Sequence, residues 1–270
     1  MSHHHGDSSI AGGEFLFTQI LLALPFIVGL VVYGTALYIS KKKKREWSLS
    51  RSILWTVGSL LGLASVSGPL AQSALTDFTA HMAGHLLLGM LAPLLMVLAA
   101  PMTLVLRALP VKAAKRLTKL LRTWPVRIVT DPLVASLLNV GGLWLLYTTN
   151  VYALMHQSLW LHIFIHLHVF IAGYLFTVSM IYIDPVPHRK SYLYRAIVLI
   201  AALAGHGILS KYIYGSPPEG VPAEQAEAGG MLMYYGGDAI DLVIIFILCL
   251  HWYRAARPRT LKENTNYQTV

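Results

Sequence analysis

Five histidines and two aspartates stand out in this sequence because they fall inside otherwise apolar stretches. His81 and His85 are four residues apart, as are His162 and His166; His206 stands alone, and Asp238 and Asp241 lie one helical turn apart. On an α-helix a four-residue step turns about 40° and rises about 6 Å, so each histidine pair presents both rings in one direction. A charged side chain at the centre of a bilayer costs about 2–3 kcal/mol or more unless it is satisfied, so polar groups gathered there mark partners or ligands. Neutral imidazole is a common ligand for copper, zinc and iron, and facing helices of a bundle can enclose such an ion. A single His-x-x-x-His could simply bond to neighbouring backbone. Two such pairs, with a further histidine and two carboxylates at matching depth, favour a metal site, with a haem or proton site as the other readings.

The elements that must position these groups follow from composition. The 270 residues are 56% hydrophobic and only 12% charged, and their mean hydropathy is +0.58. That excludes a soluble enzyme, a coiled coil and a disordered tail. The single cysteine, Cys249, excludes an intramolecular disulfide and any Cys-Cys metal pair, so a bound metal must rely on histidine, methionine or carboxylate. Uncharged or nearly uncharged runs occur at Phe15 to Ser40, Ile53 to Leu75, Phe78 to Leu106, Pro132 to Val151, Leu159 to Ile183, Ala196 toward Tyr214, and Met231 to Tyr253. Since roughly 20 apolar residues span the hydrocarbon, the expected fold is an all-α integral membrane protein with seven transmembrane helices. Residues 1–13 form a histidine-containing tail outside the membrane, 14–255 the membrane domain, and 256–270 a cytoplasmic tail.

Lysines and arginines set the orientation. All but Lys211 of the 21 basic residues fall in the connections after the first, third and fifth helices or after the last, which predicts an outer N-terminus and a cytoplasmic C-terminus. The net charge of +9 is therefore topogenic and implies no nucleic acid. Val111, Leu117, Leu120, Leu121 and Trp124, interleaved with basic residues, predict a helix lying on the lipid headgroups. Trp55, Trp124, Trp252 and Tyr253 fall toward the inner boundary, and Tyr147, Tyr152, Trp160, Tyr234 and Tyr235 toward the outer one. The first apolar run is too long for a cleavable signal peptide and has no basic region before it.

With that topology, His81, His85, His162, His166, His206, Asp238 and Asp241 all belong to the outer half of the bundle. The aspartates could orient histidines, supply oxygen ligands or pair with Lys211. Met82, Met231 and Met233 lie at the outer rim, where thioethers could pass Cu(I) inward or simply pack. His168 turns away from His166 and reads as packing; His156, His188 and His251 read as interfacial. At the N-terminus, His3 or His4 occupies position three, depending on removal of Met1, and could bind Cu(II) with the free amine. The same histidines also fit a tag remnant or a solvated tail.

The segment from His81-Met82-Ala83-Gly84-His85 through Pro93, followed by Ala100-Pro101 and Arg107-Ala108-Leu109-Pro110, resembles the CtaG family of caa(3)-type cytochrome oxidase assembly factors. The likeness continues through Asp131-Pro132, Tyr152, His162, His166 and His206-Gly207 to Gly229-Gly230-Met231-Leu232-Met233-Tyr234, covering roughly Pro69 to Tyr253. This chain departs from the pattern with Ile165 beside the second histidine of the fifth helix and with Tyr234 where a Trp often stands. The resemblance implies a bacterial plasma-membrane protein, not an enzyme, that helps build haem-copper oxidase by delivering copper to an oxidase subunit. A haem-binding redox protein and an ion or proton transporter are the alternatives. No sequence feature decides between a monomer and a homo-oligomer.

Overall fold

The computed structural model describes residues 5–257, and among them there is no strand. His3 and His4, and residues 258–270 of the C-terminal tail, lie outside the described residues. Helix α1 (His5–Lys42) runs into α2 (Leu49–Val66), which packs back on it. The short α3 (Gly68–Ser73) prolongs that rod, and α4 (Phe78–Leu86) starts where the Asp77 carboxylate accepts the Thr79 N–H at 2.8 Å. A π-helical turn, Leu87–Leu91, joins α4 to α5 (Ala92–Leu98). Then come α6 (Pro101–Ala108), α7 (Val111–Leu121) and α8 (Trp124–Val129). Helix α9 (Pro132–Ser136), a second π-helical turn at Leu137–Gly141 and α10 (Gly142–Thr148) form one rod, from which α11 (Val151–Gln157) departs at 80°. The long helices α12 (Leu159–Met180), α13 (Tyr192–Gly215) and α14 (Ala223–Ala256) complete the bundle.

Among the described residues, six segments are long and apolar enough to cross a bilayer: 15–42, 49–73, 78–98, 159–180, 192–215 and 223–256. The bent segment 132–157 makes a seventh if counted as one span. The described residues are thus all-α, with helices compatible with a multi-pass membrane protein. Exposed Val31, Phe164, Ile200 and Phe246 give its helices the apolar outer faces that lipid contact demands.

Two expected spans end differently. The third, read as running to Leu106, stops at Leu98. Pro101 has no N–H and disfavours a helical conformation in the residue before it. Ala100 accordingly takes a left-handed φ of 52°, and the chain restarts as α6. Asp184, from the α12–α13 loop, caps that new helix, its carboxylate accepting the N–H groups of Met102 at 3.0 Å and Thr103 at 2.7 Å. The fourth span ends at Thr148, and His156, read as interfacial, sits on α11.

The basic connections are tied together at one end of the bundle. Lys43 donates to the Ala108 carbonyl at 2.7 Å and Arg45 to that of Arg107 at 3.1 Å. Lys190 pairs with Asp131 at 2.7 Å, and the Tyr194 hydroxyl donates to the same carboxylate at 3.0 Å. At this end α7 leaves Val111 and Leu120 exposed, as does Trp124 of α8, matching the amphipathic pattern.

At the opposite end an apolar cluster of Phe78, Met82, Tyr147, Tyr152, Leu209 and Met233 surrounds the histidine helices. One close crossing draws these helices together. A Cβ on Gly173 of α12 would overlap the carbonyl oxygen of Gly89 in the first π-helical turn. Only hydrogen at Gly173 allows the two backbones to approach so closely, and a Cβ on Gly89 would press on the Val169 side chain of the same helix α12; that approach brings the His81/His85 helix against the His162/His166 helix.

Candidate functional site

The five membrane histidines descend in steps from one end of the bundle. His81 lies three residues into α4 and His162 three into α12, while His85 and His166 lie seven residues in. At about 1.5 Å per residue these are depths of about 5 and 10 Å. His206 lies nine residues from the end of α13, or about 14 Å. The His162 and His166 rings stack with centroids 4.1 Å apart, the His81 and His166 centroids are 6.4 Å apart, and those of His85 and His206 are 6.5 Å apart.

Three small cavities follow the same descent. The first, about 20 Å³, is lined by His81, His156, His162 and His166 together with Thr18 and Gln19 of α1. The second, about 30 Å³, is lined by His81, His85, His166 and Tyr147. The third, about 10 Å³, is lined by His85, His206, Asp241, Asn139 and Met90. Neighbouring cavities therefore share residues: His81 and His166 line the first two, and His85 lines the second and third. Each has room for about one water molecule or bare ion.

Hydrogen bonding fixes which nitrogens are free. His166 Nδ1 lies 2.9 Å from the His162 carbonyl, which can only accept. Nδ1 therefore carries the proton, and the Nε2 lone pair is left for another partner. His81 Nε2 meets the Tyr147 hydroxyl at 3.1 Å. Deeper down, His85 Nε2, His206 Nε2 and Asp241 Oδ1 are all buried without a hydrogen-bond partner, and all three residues line the third cavity. Such orphans each cost about 1–3 kcal/mol, so three converging on one space is the arrangement expected of a ligand site. Gly237 makes this possible, because a Cβ there would collide with the His206 ring. Even so, no group of three His, Cys, Asp or Glu side chains among the described residues is close enough together to hold an ion in this conformation.

The other singled-out residues separate into two sets. Asp241 is 3% exposed, but Asp238 is exposed and lines none of the three cavities. Neither pairs with Lys211, whose ammonium sits over the Tyr234 ring at 5.0 Å; the only ion pair among the described residues is Lys190–Asp131. Met231 is exposed, while Met82 and Met233 are buried in apolar packing. His168 donates to the Leu138 carbonyl at 3.0 Å. Two residues join the site that the sequence pattern did not single out for it. Tyr147, read as a boundary aromatic, is buried against His81, and His156, read as interfacial, lines the first cavity beside Tyr152.

Residues 31–255 match the model of the cytochrome c oxidase caa3 assembly factor family, Caa3_CtaG. The chain belongs to this family. The matched stretch contains all five membrane histidines and Asp241, so the histidine walls of all three cavities belong to the family domain, while Thr18 and Gln19 of the first cavity lie before it. Uncharacterised proteins of Mycobacterium bovis and Mycobacterium tuberculosis are each 32% identical over 194 residues, covering 69% of this chain and 29% of the relative. An uncharacterised protein of Mycobacterium leprae is 25% identical over 269 residues, covering 92% of this chain and 40% of its own length. The chain thus spans less than half the length of these curated relatives. No solved structure matches it.

Proposed function

We propose that this family member is a copper-handling assembly factor of the bacterial plasma membrane that passes the ion to a subunit of a haem-copper oxidase and has no turnover of its own. The observation that carries the reading is the series of three cavities with shared imidazole walls, ending on the unpartnered His85 Nε2, His206 Nε2 and Asp241 Oδ1. Imidazole suits copper, and five rings exceed what one ion needs, so an ion can exchange ligands stepwise from the shallow pair to the deep set. Closing three ligands on one ion requires ring rotations, which suits cargo that is held and released. His81, His85, His162, His166 and His206 form the ligand pool with Asp241. Asp238, exposed one turn away, contributes through its field, and Met231 and the tail histidines His3 and His4 are accessory capture groups.

The basic end faces the cytoplasm under the positive-inside rule, with α7 on the lipid headgroups, and the histidine end faces outward. Cavities of 10–30 Å³ hold an ion or a water rather than a porphyrin, which favours copper over haem. Asp241 lines the third cavity beside His85 and His206 rather than pairing with Lys211, which supports counting it with the ligand pool.

Elemental analysis of detergent-purified, copper-loaded protein tests this. A variant lacking residues 1–13 should retain at least one copper per chain, and His81→Ala or His166→Ala should abolish retention while the helical circular dichroism persists. Unchanged copper content in both histidine variants would sink the reading, and a Soret band would replace it with haem.

A further inference from the structure

At the basic end a further, larger cavity of about 490 Å³ has walls unlike those of the histidine series. It is lined by Arg189, Lys190, Arg195 and Arg254, with His251 and the rings of Tyr182 and Tyr192, and no carboxylate contributes to it. Arg195 is the unusual member. It is 1% exposed, and its guanidinium is clamped between Tyr182 at 4.1 Å and Tyr192 at 4.5 Å. One of its terminal N–H groups donates to the Met180 carbonyl at 2.7 Å, but Nε has no partner.

Among the described residues, the two acids of the neighbouring connections are committed elsewhere. Asp184 caps α6, and Asp131 accepts from Lys190, the Tyr194 hydroxyl and the Leu133 N–H. A buried guanidinium with no counter-ion is costly unless an anion completes it. The planar fork of arginine matches phosphate oxygens two at a time. The cavity also takes in Ser191 and Tyr192 at the start of α13, a 24-residue helix whose N-terminus favours negative charge. Tyr192 stacks on Trp252 at 6.1 Å, next to exposed Tyr253, which sets the cavity beside amphipathic rings of the kind found at a headgroup boundary.

We propose that this cavity is a binding site for a phosphate oxyanion, with Arg195 as its buried anchor and Arg189 and Arg254 as its outer clamps. The phosphate can come from an anionic phospholipid headgroup or from free phosphate in solution; the residues recognise what the two share. The site is independent of the histidine series, and its occupancy would brace the α12–α13 loop against the end of α14.

The test uses delipidated full-length protein in detergent, with thermal unfolding and native mass spectrometry as readouts. Phosphatidylglycerol should raise the unfolding midpoint and remain bound as a discrete adduct, while phosphatidylcholine should not. Inorganic phosphate is compared with chloride at equal ionic strength. Stabilisation by phosphatidylglycerol alone assigns the lipid source, and stabilisation by inorganic phosphate, with displacement of the lipid adduct, assigns the free ion. Because Arg195→Gln could fail to fold, the deciding variant is the double substitution Arg189→Gln/Arg254→Gln at exposed positions. It should weaken binding at least tenfold and leave copper retention unchanged. Undiminished binding in that variant, or no response to either phosphate source in the native protein, would overturn the proposal.

Discussion

The two ends of this bundle handle buried polarity in opposite ways. At the basic end several polar groups tie the connections together: Asp184 caps a helix, Asp131 collects three donors, and Lys43 and Arg45 bond to carbonyls of a neighbouring connection. At the histidine end the pairing stops short. His85, His206 and Asp241 keep unpartnered atoms around spaces the size of one water or ion. Paired groups lock a loop, whereas unpaired convergent groups hold free energy available to a ligand. The Arg195 cavity follows the histidine-end pattern within the basic end, and for that reason it too reads as a binding site.

The strongest way to break the contrast is to separate the helices that create the histidine end. Gly173→Ala would drive a methyl group into the Gly89 carbonyl. The expected loss lies at or above the top of the ~1–3 kcal/mol range for overpacking, with copper capacity falling as the histidine pairs part. Gly34→Ala, where nothing lies within 4 Å of the added carbon, is the control and should leave both unchanged. At the other end, Asp184→Ala removes the acceptor of two backbone N–H groups and of the Thr103 hydroxyl, and should cost about 2–3 kcal/mol in unfolding free energy while sparing copper retention. If Asp184→Ala also removed copper, the two ends would not be separable.

The features legible in the sequence are those set by local period. His81/His85 and His162/His166 were readable as facing pairs because four residues return a helix nearly to its starting face, and long apolar runs gave the spans. Features arising between distant segments were not readable. Asp184 caps a helix that begins at Pro101, about 80 residues earlier in the chain. Tyr147 reaches the site from α10, which packs beside the histidine helices, and His156 from α11, which departs from that rod at 80°. Asp238 and Asp241 looked equivalent because they share a turn, yet a three-residue step rotates by about 300°, which suffices to leave one exposed and bury the other. In a helix whose lipid side and packed side are both apolar, hydropathy cannot tell which face turns inward.

A smaller effect sharpens the histidine end itself. Tyr147→Phe removes only the hydroxyl that meets His81 Nε2. Groups that orient a ligand in this way typically change metal affinity by about 10-fold or more. The variant should therefore weaken copper binding by about that factor in a competition titration with no change in stoichiometry, and lose no more than the ~1–3 kcal/mol of stability that one unpaired buried nitrogen costs. An unchanged affinity would make Tyr147 a packing residue and leave His81 to be oriented by Phe78 and Tyr152, whose ring centroids lie 5.9 and 5.1 Å away.

The smallest expected effect belongs to the Lys190–Asp131 pair, whose side chains are 37% and 18% exposed. Burial alone would raise the Asp131 carboxyl, but the bonds from Lys190, the Tyr194 hydroxyl and the Leu133 N–H outweigh it and hold the group below its ordinary value. The bond to Asp131 in turn holds the Lys190 ammonium above its own. The contribution of Asp131 is complete above its unfolded pKa, near 4, and is lost as pH falls through its lower folded value. That of Lys190 is complete below about pH 10 and is lost as pH rises through its higher folded value. Lys190→Gln should thus cost no more than about 1 kcal/mol at neutral pH, and its difference from the native protein should stay flat across the neutral range and shrink below about pH 4. A difference that instead peaked in acid would mean that the pair is not what holds the α12–α13 loop against α9, and the contrast between a paired and an unpaired end would lose its best-defined contact.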